Sequence, residues 1–130
     1  MPGLALVVDD SMVIRHTVCR FLEDRGFQVE SVSNGKEAVA AVARNVPALV
    51  ITDMQMPTMG GGELISVLKS KPETAQVPIV ILTGRSSGFD ESETRAEFTI
   101  FKDIDIQEQL DKALNAIAKL GQAKATSAGT

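Results

Sequence analysis

The sequence predicts a single α/β domain built on a doubly wound, five-stranded parallel sheet with helices on both faces. Three observations lead there. Short aliphatic runs alternate with longer segments of helical periodicity. Four of the five runs end in a polar or charged residue. The chain has 130 residues, enough for one such domain and too few for two.

The elements follow in order. Leu4–Val8 is a continuous aliphatic run ending in Asp9-Asp10, as expected of a parallel strand buried on both faces. Ser11 can cap the helix that follows, whose apolar face carries Ile14, Val18, Phe21 and Leu22. Gly26 stands where that helix must stop. Residues 27–32 alternate apolar and polar, which suits an edge strand. Asn34 and Glu37 have capping-box spacing, and Val39, Val42, Ala43 and Val46 form the next stripe. The third strand is expected at 48–52, running into Asp53. A Met-, Pro- and Gly-rich loop then leads to a helix bearing Leu64, Ile65 and Leu68. The fourth strand, 77–82, runs into Thr83, and Phe98–Phe101 is a fifth that runs into Lys102. Between them, residues 84–97 hold two glycines, three serines and little apolar periodicity, so the fourth helix is expected to be short or atypical, and this segment mobile. The last helix carries Ile106, Leu110, Ala113, Leu114 and Ile117, with Asp105 and Glu108 placed to cap it. Residues 1–120 form the domain. A disordered tail is expected over 121–130, where the sequence turns small and polar.

Composition narrows the function. With five Phe and neither Trp nor Tyr, the core must be aliphatic. A net charge of −4 argues against a nucleic-acid-binding surface. Cys19 is the only cysteine, so there is no intramolecular disulfide, and a reducing compartment fits. No run approaches the length needed to span a bilayer, and because the start lacks a basic segment followed by an apolar run, no signal peptide is expected. These features lead us to expect a cytoplasmic protein.

In an open parallel sheet the site lies beyond the carboxyl ends of the strands, where strand order reverses. There the sequence places Asp9, Asp10, Asp53, Thr83 and Lys102. Gathered carboxylates repel one another and call for a cation, and all-oxygen donors with room for water suit Mg²⁺. Lys102 adds a fixed positive charge and Thr83 a hydroxyl donor. A carboxylate nucleophile, a metal and a lysine together are what phosphoryl transfer requires. Each residue alone has an ordinary structural explanation as a turn, cap or surface residue. Their joint occurrence, in this order and each after an apolar run, favours the chemical one.

At these residues the sequence resembles the response regulator receiver family over about residues 4–120. The resemblance is carried by Leu6-Val7-Val8-Asp9-Asp10-Ser11, by Asp53 through Gly61, and by Thr83 and Lys102. It implies a flavodoxin-like sheet of order 2-1-3-4-5 and a sensor histidine kinase or histidine phosphotransfer domain as phosphoryl donor. It implies that Asp53 is the phosphoacceptor. Asp10 and Asp53 would bind Mg²⁺ directly, Gln55 through its backbone carbonyl, and Asp9 mainly through water. Thr83 would hydrogen-bond the phosphoryl group, and Lys102 would pair with one of its oxygens. The protein would signal by binding an unknown protein partner, and its only catalysis would be its own phosphorylation and dephosphorylation.

Three departures from the family bear on output. Asp103 follows Lys102 where a cis-bonded proline is usual, so a trans bond is expected. Thr99 stands where an aromatic residue is usual. The Thr83-to-Lys102 spacing is shorter than usual. These departures favour an alternative, a receiver-fold interaction module that no longer switches by phosphorylation. A second alternative is an aspartyl-nucleophile phosphatase, but such enzymes place another Asp two residues after the nucleophile, where this chain has Gln55. Among the remaining residues, His16 and Arg85 read as surface positions and Cys19 as incidental. Met54, Met56 and Met59 read as loop packing. Gly60-Gly61-Gly62 reads as a flexible helix entry, since no Lys-Ser/Thr follows as a P-loop needs.

Overall fold

Leu4–Val8 forms β1, which pairs in parallel with β2 (Gln28–Val32) on one side and β3 (Leu49–Asp53) on the other. β3 continues to β4 (Ile79–Thr83), and β4 to β5 (Phe98–Phe101). The sheet order is therefore β2-β1-β3-β4-β5, as the resemblance implied. The computed structural model describes residues 3–54, 61–83, 96–101 and 105–129, with side chains to residue 119. The helices in this part are α1 (Met12–Asp24), α2 (Gly35–Arg44), α3 (Gly61–Ser70) and α4 (Ile106–Gly129). None of them is long and apolar enough to cross a membrane. The expectations for residues 84–95, including the short fourth helix, and for the Lys102–Asp103 bond lie outside the described residues.

Strand side chains alternate between the two faces, and each face has its own core. Ala5, Val7, Leu49, Ile51, Val80, Leu82 and Ile100 pack with Val18, Phe21 and Leu22 of α1 and with Leu110 and Ala113 of α4. Leu6, Val8, Val50, Ile79 and Ile81 pack with Ala38, Ala41 and Val42 of α2 and with Leu64, Ile65 and Leu68 of α3. Every residue of β3 and β4 is buried. This two-sided burial is why those strands read as unbroken aliphatic runs, whereas β2, at the edge, alternates.

The helix starts follow their caps. Ser11 Oγ accepts from the Ile14 N–H at 3.4 Å. Asn34 Oδ1 accepts from the Glu37 N–H at 2.9 Å, while Asn34 Nδ2 donates to Glu37 Oε1 at 3.1 Å. Asp105 Oδ1 accepts from the Glu108 N–H at 3.2 Å. After α1 the chain turns through Gly26 at φ +92°, a left-handed conformation that suits glycine.

Several boundaries differ from the sequence expectation, each for a physical reason. β2 begins at Gln28, because the Phe27 N–H turns back to Leu22 O and finishes the helix end. β4 begins at Ile79, because Pro78 has no N–H to give the ladder, although its carbonyl accepts from Val50 N at 3.0 Å. α2 ends at Arg44 and buries Gly35, Ala38, Ala41 and Val42, so Ala43 and Val46 of the expected stripe are exposed. α4 is helical through Gly129, beyond residue 121 where a disordered tail was expected. Its Gln-Ala-Lys-Ala stretch has high helix propensity and continues the preceding turns.

Candidate functional site

Between β1 and β3 the direction of winding reverses, and the ends of these two strands carry the acidic residues. Asp9 follows β1 and is fully buried, Asp53 ends β3 at 5% exposure, and Asp10 is exposed. One carboxylate oxygen from each of the three lies within 4.8 Å of the others. Gathering three carboxylates this closely is costly unless a cation sits among them. The donors are anionic oxygens on the last residue of one strand and the two residues after another, with Asp10 open to solvent. That set fits Mg²⁺, which keeps several waters. It does not fit a soft metal, which would need thiolate or imidazole.

The turn carrying Asp9 and Asp10 is held from three directions. The Asp9 N–H donates to Val32 O at 3.2 Å, extending the β1–β2 ladder by one residue. The Ser11 N–H donates to Asp9 Oδ1 at 2.8 Å. Arg15 Nη1 donates to the Asp9 carbonyl at 2.8 Å from one turn along α1. Asp53 is set by the opposite ladder, where it stands across from Leu82, and the Met54 N–H donates to Leu82 O at 3.2 Å.

Thr83 ends β4 one residue beyond the partner of Asp53 and is 1% exposed. It stands opposite Phe101, the last residue of β5. Asp9, Asp10 and Asp53 are thus brought together, with Thr83 at the same end of the sheet. Gln55, Lys102 and Arg85 lie outside the described residues, as do Met56 and Met59.

His16 is exposed on α1, as expected. Cys19 differs from its reading as an incidental residue off the apolar face. It is half-buried and packs against the α1–α4 core. Burial raises its thiol pKa, a hydrogen bond with Ser31 opposes the rise, Glu23 adds to it and Arg15 lowers it. Arg15, which holds the Asp9 carbonyl, and Gln109, which pairs with the main chain of Phe101 at the end of β5, are residues that the sequence reading did not single out. Each acts by a hydrogen bond to main chain elsewhere in the fold, which leaves no periodic trace in the sequence. A largely apolar groove of about 380 Å³ beside Phe27, Leu49, Leu114 and Ile117 involves none of the acidic residues.

Comparison with known proteins agrees with this geometry. The family described as response regulator receiver domain matches residues 5–115. A gliding motility regulatory protein of Myxococcus xanthus is 39% identical over 85 residues, which are 65% of this chain and 11% of that protein. Histidine kinase P4 of Formosa agariphila is 34% identical over 106 residues, 79% of this chain and 8% of that protein. Response regulator MprA of Mycobacterium sp. (strain KMS) is 38% identical over 67% of this chain and 37% of its own length. The chain therefore spans well under half of these curated relatives. Among solved structures, chemotaxis response regulator CheY4 of Vibrio cholerae superimposes with a TM-score of 0.78 at 27% identity, covering 89% of this chain and 99% of that one. A CheY-like receiver domain from Methylobacillus flagellatus gives 0.78 at 27% identity over 90% and 99%. With the family match running from β1 into α4 and the acidic residues gathered at the end of the same sheet, this chain belongs to the response regulator receiver domain family.

Proposed function

We propose that the protein is a phosphorylation-dependent signalling module in which Asp53 accepts a phosphoryl group from the phosphohistidine of a sensor kinase or a histidine phosphotransfer domain. The observation that carries this reading is the convergence of Asp9, Asp10 and Asp53 within 4.8 Å at the end of the sheet. An oxygen of Asp53 attacks phosphorus, the phosphorus–nitrogen bond of the donor breaks, and the imidazole leaves with a proton. The product is an acyl phosphate on Asp53.

Asp10, Asp53 and the Gln55 carbonyl would hold Mg²⁺ directly, with Asp9 acting mainly through water. Mg²⁺ supplies charge neutralisation on the transferring group. The chain's own residues do the rest. Burial of Asp53 at the strand end fixes the direction of attack. The Thr83 hydroxyl donates to one phosphoryl oxygen, and Lys102 pairs with another. Phosphorylation then changes the affinity of the domain for a protein partner. This reading gives the protein no steady turnover of an external substrate and no nucleic-acid or membrane partner, and it places the protein in the cytoplasm.

Incubation with acetyl phosphate and Mg²⁺, followed by intact-mass spectrometry, tests the reading. It expects a lasting gain of one phosphoryl mass. Steady hydrolysis without a lasting adduct points instead to an aspartyl-nucleophile phosphatase. No adduct at any Mg²⁺ concentration points to a receiver-fold module that does not switch by phosphorylation.

A further inference from the structure

The groove of about 380 Å³ lies at the far end of the sheet from the acidic residues. Leu49, in its floor, is the first residue of β3, and Asp53 is the last. Phe27, just before β2, and Leu114 and Ile117 of α4 complete the apolar lining. Leu49 is buried in the α1–α4 core, and the other three are half-buried against it, so they keep apolar surface that a ligand would take out of water. The volume falls in the range of small-ligand sites, about 300–1,000 Å³.

Polarity is confined to Arg25 and Asn115. Arg25 caps α1, its N–H donating to Leu22 O at 3.0 Å. Its guanidinium carbon lies 4.1 Å from the centre of the Phe21 ring, and Nη2 donates to Asp111 Oδ1 at 2.8 Å. Ring and carboxylate hold the guanidinium in one place, which lowers the entropy cost of using it to bind. Asp111 engages Nη2, and a guanidinium carries N–H groups on its other nitrogens as well. An apolar trough with one fixed cation beside it matches a ligand with an apolar chain and a single anionic head. A nucleotide or sugar phosphate, polar along its length, would bury unpaired groups against Leu49, Leu114 and Ile117. We propose that this groove binds an amphipathic carboxylate, its chain on Phe27, Leu49, Leu114 and Ile117 and its head on Arg25, with the Asn115 amide as a second donor. The head shares Arg25 with Asp111, whose charge opposes it. Binding at this end of β3 needs neither Mg²⁺ nor a phosphoryl group.

The test titrates the full chain with hexanoate, octanoate and decanoate, following the methyl resonances of Leu49, Leu114 and Ile117. Affinity should rise about threefold per added methylene. Octanamide, which keeps the chain and lacks the charge, should bind about tenfold more weakly than octanoate, and Arg25→Met should cost octanoate about the same. The octanamide comparison needs no variant, so it decides the role of charge even if Arg25→Met folds poorly. Asp111→Asn should strengthen octanoate binding about threefold. Ala118, exposed on α4, also lines the groove, and Ala118→Phe should fill it and abolish binding without lowering the melting temperature. No binding at millimolar octanoate overturns the proposal. So does equal affinity for octanoate and octanamide, or binding that survives Ala118→Phe, either of which means non-specific partition onto apolar surface. A dimer of the unmodified protein that Ala118→Phe dissociates would show that a second copy occupies the groove, and would overturn it too.

Discussion

Arg15 Nη1 donates to the main-chain carbonyl of Asp9 at 2.8 Å, tying the first turns of α1 to the residue that carries the buried carboxylate of the site. With the Ser11 N–H on Asp9 Oδ1, it fixes both ends of Asp9 relative to the helix. Arg15→Ala should therefore weaken the fold and loosen the acidic cluster together. A part-buried hydrogen bond from a charged donor is worth about 1–2 kcal/mol, which should appear as a lower urea midpoint. The Mg²⁺ concentration giving half of the maximal thermal stabilisation should rise as well. An unchanged Mg²⁺ response in Arg15→Ala would reduce Arg15 to a structural helix contact.

Asp53 supplies the second prediction. It is nearly buried, yet replacing its carboxylate by an amide keeps the shape and removes one negative charge from a cluster of three. Asp53→Asn should fold, melt no lower than the unmodified protein when Mg²⁺ is withheld, and take up no phosphoryl group from acetyl phosphate. Peptide mapping by mass spectrometry reads the result. Full labelling of Asp53→Asn at another side chain would show that the acceptor had been misassigned.

The third prediction concerns the metal. Binding to the folded protein alone stabilises it, by about 1.4 kcal/mol when Mg²⁺ is about ten times its dissociation constant, or a rise of about 5 °C in melting temperature for a domain of this size. Asp10 is exposed and contributes little to packing, so Asp10→Ala separates metal binding from folding. It should remove most of the Mg²⁺-induced rise while leaving the metal-free melting temperature equal or higher. A rise that survives Asp10→Ala places the ion elsewhere.

Much of this was legible in the sequence because burial on both faces of a strand leaves a plain mark. Leu49 to Ile51 and Ile79 to Leu82 could only be interior strands, and the polar residues ending such runs pointed to the site. Capping was equally readable at Ser11, Asn34 and Asp105, since those contacts are local. Contacts between elements were not. Glu97 accepts from the Ile79 N–H at 2.6 Å and returns its own N–H to Ile79 O at 2.8 Å, tying the starts of β4 and β5 together, yet nothing around Glu97 announces it. The same holds for Arg15 and Gln109. Stripe reading also misjudged α2, because a helix packed through Gly35, Ala38 and Ala41 buries small residues that apolar counting overlooks.

Cys19 gives the last prediction. Its thiol sits half-buried against the α1–α4 core, and burial, the largest influence, disfavours the thiolate. The hydrogen bond with Ser31 and the charge of Arg15 offset this only in part, while Glu23 adds to it. The folded-state pKa therefore lies above the unfolded one. Below the unfolded value, about 8.5, both states hold the proton and the thiol makes stability no more pH-dependent. As pH rises past that value the unfolded chain loses its proton first, which favours unfolding, and the loss of stability levels off only once the folded thiol has ionised too. Urea midpoints for the unmodified protein and for Cys19→Ala should keep a constant separation at about pH 7 to 8. From about pH 8.5 upward the unmodified protein should fall away more steeply. Alkylation of Cys19 should be slower than that of a free thiol at the same pH, because the thiolate is the reacting form. Parallel stability curves up to about pH 10 would mean that the folded thiol ionises like an exposed one.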